Sequence, residues 1–112
     1  MAKKCNIPDQ MEKLVCAARE ARQAAKESIG SDDGGSANLD SVWLKMTGDS
    51  GKITSALKQG GLEAGEGDSK GYYHISPPDH QWQGYNRTRQ CEAVVKVLTD
   101  NGFEAGVKSV VD

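Results

Sequence analysis

The stretch that most limits what this chain can fold into is residues 52–76, KITSALKQGGLEAGEGDSKGYYHIS. Ile53 and Leu57 stand four apart and share one face of a short helix. Gly60-Gly61 ends that helix, because glycine takes the left-handed cap conformation without a Cβ penalty. Leu62-Glu63-Ala64 starts an extended run, residues 65–71 form a polar turn, and Tyr72-Tyr73-His74-Ile75 reads as the returning strand. The same pattern recurs downstream. Ala56-Leu57-Lys58-Gln59-Gly60-Gly61-Leu62-Glu63-Ala64-Gly65 is echoed by Val97-Leu98-Thr99-Asp100-Asn101-Gly102-Phe103-Glu104-Ala105-Gly106, each a helix end, a glycine stop and a strand start. The echo is either a duplicated helix–strand unit or one cap chemistry used twice, and the second reading is the simpler.

The remaining elements follow from periodicity. Pro8 opens a helix over 9–29, with Asp9 and Glu12 as a capping box. Met11, Leu14, Ala18, Ala21 and Ala25 make a narrow apolar stripe, widened by Val15 and Ile29. Its alanines let another helix approach closely, as a dimer seam or, by preference, as ordinary internal packing. Lys13, Arg19, Glu20, Arg22, Gln23, Lys26 and Glu27 form the solvated side. Residues 30–37 are a flexible acidic connector. Leu39, Val42, Trp43 and Met46 at i, i+3, i+4 and i+7 predict a helix over 38–46. With a turn at 47–51, residues 38–60 then read as helix, tight turn, helix. After Pro77-Pro78 an irregular segment leads to a helix from 86, with Cys91, Val94, Val95 and Leu98 on one face. Asn101-Gly102 stops it, and residues 103–111 alternate as a closing strand. The expected fold is a single α+β domain over residues 1–112, its last strand extending the hairpin's sheet or pairing with a partner chain.

Composition sets the limits on that domain. Leu, Ile, Val and Phe together number 19 of 112 residues and glycine contributes 13, so the core is lean. A net charge of −2 gives no basic surplus of the kind that supplies most nucleic-acid affinity, although a total does not describe a surface. Cys5, Cys16 and Cys91 lack close pairing, which favours reduced thiols and a cytoplasmic location; no stretch is apolar enough for a signal peptide or a membrane span. No cofactor or metal is expected. His74, His80 and Cys91 lack recognised ligand spacing, and Gly48-Asp49-Ser50-Gly51-Lys52 has neither the glycine spacing of a phosphate loop nor a predicted strand before it.

Helix, turn, helix and hairpin in that order, with Thr47-Gly48 at the turn, Ile53 and Leu57 on an inner helix face and a hairpin ending in Tyr72-Tyr73-His74-Ile75, resembles the winged helix-turn-helix superfamily over residues 9–76. The resemblance implies a non-enzymatic DNA-binding regulator whose second helix enters the major groove. Lys52, Thr54, Ser55, Lys58 and Gln59 would then point outward, Thr54 and Gln59 reading base edges and Lys52 and Lys58 holding phosphates, with Ser69 and Lys70 acting from the wing and Arg87 and Arg89 assisting. Glu66 and Asp68 in the wing depart from that use, since phosphate repels them.

A second cluster competes with it. Four of the six aromatics and both histidines fall within residues 72–85. Tyr72, Tyr73, His80, Trp82 and Tyr85 are the residue types of a binding hot spot, and they support the alternative of a protein–protein adaptor or inhibitor. The bland reading, large side chains covering a sheet, is equally open. Catalysis by Asp79 and His80 with Ser76 or Cys91 lacks a nucleophile elbow, so no enzyme is expected. DNA or another protein is the expected partner, no membrane is involved, and a homodimer is compatible with the alanine stripe or the last strand.

Overall fold

The computed structural model describes residues 9–29, 40–67, 69–77 and 85–108. The connector at 30–37, Asn38, Leu39, Asp68, Asp79, His80, Trp82 and Cys5 lie outside the described residues. The elements run α1 (Gln10–Glu27), β1 (Ser41–Lys45), α2 (Ser50–Gln59), β2 (Glu63–Glu66), β3 (Tyr72–Ser76), α3 (Tyr85–Asp100) and β4 (Glu104–Lys108). The α+β class, the three helices α1, α2 and α3, the hairpin and the closing strand are as the sequence predicts.

One element differs. Ser41–Lys45 is a strand, not the first helix of a pair. Leu39, Val42, Trp43 and Met46 fit a helical spacing, but Ser-Val-Trp-Leu-Lys also alternates. Val42 and Leu44 are buried while Lys45 is exposed and Trp43 half-buried. Two flanking strands decide between the periods, since β1 pairs antiparallel with both β3 and β4. The 38–60 stretch is therefore strand, turn, helix, and α2 has no companion helix immediately before it.

The sheet is fully antiparallel in the order β2-β3-β1-β4. β4 thus joins the hairpin's sheet beside β1 rather than beside the hairpin. With α2 linking β1 to β2 and α3 linking β3 to β4, this is the split β-α-β, or ferredoxin-like, arrangement, preceded by the additional helix α1. The echoed decapeptides hold equivalent places in its two halves. Gly60, Gly61 and Leu62 donate their N–H groups to Ala56, Lys58 and Leu57; Asn101, Gly102 and Phe103 donate theirs to Val97, Thr99 and Leu98. Gly61 (φ 94°) and Gly102 (φ 87°) supply the positive φ each cap requires.

α1 is capped by Asp9, whose Oδ1 accepts from the N–H groups of Met11 and Glu12. It packs on both α3 and α2. Leu14, Ala17, Ala18, Ala21 and Ala25 are fully buried, so the alanine stripe is an internal seam of this chain. The small side chains let α2 approach so closely that a Cβ on Gly60 would lie 2.3 Å from that of Ala18. The core joins this stripe to Ile53, Leu57, Leu98 and Val94 and to the inward-facing Val42, Leu44, Tyr73 and Ile75.

Candidate functional site

Because side chains alternate along a strand, the register that buries Val42 and Leu44 turns Trp43 and Lys45 to the opposite face of the sheet. Cross-strand pairing fixes their neighbours. Trp43 faces His74 on β3 and Gly106 on β4, and His74 faces Gly65 on β2. Lys45 stands between Tyr72 and Glu104. No described helix covers this face. Lys45, His74, Glu104 and Lys108 are exposed there, Tyr72 and Trp43 are half-buried, and Ser41 at the far end is buried.

Two glycines shape the centre of the face. A Cβ on Gly106 would fall 2.6 Å from Cε2 and Cζ2 of Trp43 and 2.7 Å from its Nε1, so the indole lies across β4 in space that only glycine leaves. A Cβ on Gly65 would meet nothing within 4 Å, so the β2 side is open. Tyr72 packs edge-on to Trp43, with centroids 5.9 Å apart and planes at 61°. The Lys45 ammonium sits 5.7 Å from the Tyr72 ring centroid. Each contact contributes about 1 kcal/mol, enough to bias the rings toward one arrangement. The outcome is an aromatic platform on the two central strands with a cation beside it.

A cleft of about 940 Å³ adjoins the platform at Lys45 and Tyr72, bounded by Gly48, Ser50, Lys70 and Phe103. A strand does precede Gly48-Asp49-Ser50-Gly51-Lys52 here, unlike the sequence-based expectation. Yet the Asp49 carboxylate accepts from the Lys52 N–H at 3.1 Å and occupies the helix N-terminus that a phosphate would need. The loop caps its own helix.

The residues expected to bind DNA are dispersed. Lys52, Ser55, Lys58 and Gln59 are exposed and Thr54 half-buried on α2, which packs with the helices on the other side of the sheet. Lys70 is exposed at the β2–β3 turn. Arg87 donates from Nε to the Asp40 carbonyl at 2.9 Å, and Arg89 from Nη1 to Asn86 Oδ1 at 2.9 Å, which ties both to local structure. The aromatic cluster divides as well. Tyr72 lies on the platform, whereas Tyr73 is 4% exposed and belongs to the core. His80, Trp82 and the Tyr85 side chain lie outside the described residues. Trp43 and Gly106 are the functional candidates that sequence reasoning misses; the Val42–Lys45 alternation is the signal that points to Trp43.

The cysteines differ from expectation too. Cys16 is disulfide-bonded, so a cytoplasmic location loses its argument from reduced thiols. Cys91 is free and fully buried on α3. Desolvation pushes its thiol from 9.0 up to about 12, with Asp40 and Glu92 adding to the rise and Arg87 opposing it. It lies in the core, while His74 is on the far face of the sheet, so the two do not form a site. Among the described residues, no helix is long and apolar enough to cross a membrane. No family model, curated protein or solved structure matches this chain. The class defined by fold and site is thus a split β-α-β domain with an aromatic sheet face that no described helix covers, a topology that by itself hosts many functions.

Proposed function

We propose that this protein is a non-catalytic binding module that takes single-stranded nucleic acid on the face of its sheet opposite α1, α2 and α3. The observation that carries the reading is Trp43 laid across Gly106, with Tyr72 edge-on beside it, on adjacent central strands. Unpaired bases stack on aromatic side chains displayed by four-stranded sheets, and each stacked base contributes about 1–3 kcal/mol. Lys45 and Lys108 are placed to meet phosphates along the same face. Relative to the duplex reading, the nucleic acid remains and the surface changes from α2 to the sheet.

The near-balanced charge of the face, with Glu63 and Glu104 among its lysines, favours a second reading, a protein partner docked over Trp43 and Tyr72. One titration separates the two. In a Trp82→Phe background, a single-stranded pyrimidine oligonucleotide quenches Trp43 emission at low salt, with the affinity falling as salt rises. Trp43→Ala weakens binding roughly tenfold, whereas Lys52→Ala/Lys58→Ala leaves it unchanged. Absence of binding at low salt, where phosphate attraction is strongest, defeats the nucleic-acid reading and leaves the protein partner.

A further inference from the structure

Among the described residues, the sheet ends in two strands paired on one side only, β2 and β4. Such edges template pairing with another chain unless their side chains prevent it. The two edges differ in what self-pairing would bring together. On β2, Glu63 and Glu66 lie on opposite faces, and antiparallel self-pairing about Ala64 or Gly65 would set neither of them against a cation. On β4, Glu-Ala-Gly-Val-Lys paired about a two-fold axis through Gly106 would set Glu104 against Lys108 twice, with Ala105 opposite Val107. Moving this register by two residues in either direction breaks both charge pairs, so the sequence selects one alignment.

We infer that β4 is a self-complementary edge through which two copies of this chain associate, forming one continuous eight-stranded sheet. The partner is a second copy because the charge pattern of the strand complements its own reverse, as a two-fold interface requires. Lys108 and Glu104 are exposed on the face opposite the three helices, and Ala105 and Val107 are half-buried against the core, leaving apolar surface to cover. The Lys108 ammonium has three donors, so a partner's carboxylate adds to the contacts it makes in its own chain. Gly106 at the axis contributes no side chain of its own, and the Trp43 indole of the same chain lies over it. The two Trp43 residues would then stand three strand spacings apart, roughly 14 Å, on one shared face. The association itself does not depend on what that face binds.

Five-residue edges bury little area, so the expected dimer is weak, with a Kd on the order of micromolar or above. The test is sedimentation equilibrium of the full chain from about 1 to 500 µM (a range set to span that Kd), with circular dichroism to verify folding. Wild type is expected to dimerise with concentration. Lys108→Glu, which places Glu104 against another glutamate at both ends, should weaken dimerisation roughly tenfold. Glu104→Lys should do the same by opposing two lysines, and mixing the two variants should restore association as a heterodimer. A wild type that stays monomeric throughout, a Lys108→Glu protein that dimerises like wild type, or folded variants that fail to associate when mixed would each overturn the proposal. Should Glu104→Lys fail to fold, since Glu104 also faces Lys45 across β1, wild type against Lys108→Glu still decides.

Discussion

α2 and α3 end in the same hydrogen-bond pattern and release β2 and β4 through the same tripeptide, Glu-Ala-Gly, yet the two halves meet the rest of the molecule differently. At the first cap position the α2 half carries Gly60 and the α3 half Asn101. Gly60 lies against Ala18, Arg19 and Val15 of α1, where no side chain fits. Asn101 is buried and donates from Nδ2 to the Val97 carbonyl at 2.8 Å, so that helix end is filled by a polar side chain instead. A few residues later, β2 closes on Glu66 while β4 continues through Val107 to Lys108. A backbone motif used twice thus fixes the local geometry, and single side chains decide which half is pressed into the core and how each edge strand ends.

The largest expected effect breaks the symmetry at the cap. Gly60→Ala places a methyl 2.3 Å from the Ala18 Cβ and 2.9 Å from backbone atoms of Arg19 and Val15, none of which can swing away. A loss of roughly 2–4 kcal/mol in urea denaturation is expected. Asn101→Ala removes a hydrogen bond but overlaps nothing, so about 1 kcal/mol is expected there. Equal losses at the two positions would mean that α2 does not sit as tightly on α1 as the structure has it.

The second effect belongs to the α3 half alone, because that helix carries the buried thiol. Cys91 holds its proton up to about pH 12 in the fold but releases it near its ordinary value of 9.0 when unfolded. Above pH 9 the unfolded chain therefore binds fewer protons than the native one, and stability falls as pH rises from 9 toward 12. The slope is up to about 1.4 kcal/mol per pH unit. Subtracting the same profile for Cys91→Ala isolates the thiol from lysine and tyrosine titration. A wild-type slope no steeper than the variant's would show that the native thiol titrates normally. The same burial predicts that iodoacetamide alkylates Cys91 only on unfolding.

These contrasts also show what was legible in the sequence. Both caps, the hairpin, α1 and α3 are written in short-range signals: Asp9 before a periodic stripe, Gly61 and Gly102 after one, and aromatics bounded by turn residues. β1 is not, because Val42, Trp43, Leu44 and Met46 satisfy two periods at once. The choice is made by β3 and β4, which pair with β1 from positions some 30 and 60 residues away. The candidate site shares that fate. Trp43 counts as a core residue while its segment is read as a helix, and Gly106 gains meaning only from the indole above it. Tyr72 is legible as an aromatic of the hairpin, but Tyr73 beside it differs only in strand parity.

The next effect tests the shared part of the motif. Gly61→Ala and Gly102→Ala both force a side chain into positive φ, costing about 1–2 kcal/mol each. At Gly61 the added methyl also approaches the flexible Arg22 stem, at 2.6 Å from Cδ, while at Gly102 only Lys13 Nζ is near, at 4.0 Å. Similar losses are expected, because Arg22 is exposed and its stem can move. A markedly larger loss at Gly61 would show that Arg22 is held in place on α2's side of the molecule.

The smallest effect on stability is the most informative about the aromatic face. Gly65 and Gly106 are equivalent in the echo and lie in the same row of the sheet, but one is open and the other lies beneath Trp43. Gly65→Ala adds a methyl to empty space and reduces the freedom of the unfolded chain, so a gain of up to about 0.5–1 kcal/mol is expected. Gly106→Ala gains the same entropic term but must lift the indole off β4. Its net stability change should be near zero, while Trp43 emission and the near-ultraviolet dichroism of the Trp43–Tyr72 pair should change in a Trp82→Phe background. Oligonucleotide affinity should fall with Gly106→Ala and hold with Gly65→Ala. If Gly106→Ala leaves the spectra unaltered, the ring does not rest where only glycine admits it, and the platform loses the contact that orients it. If the spectra change while affinity holds, the bases stack elsewhere, and Tyr72 and His74 on β3 become the surface to test.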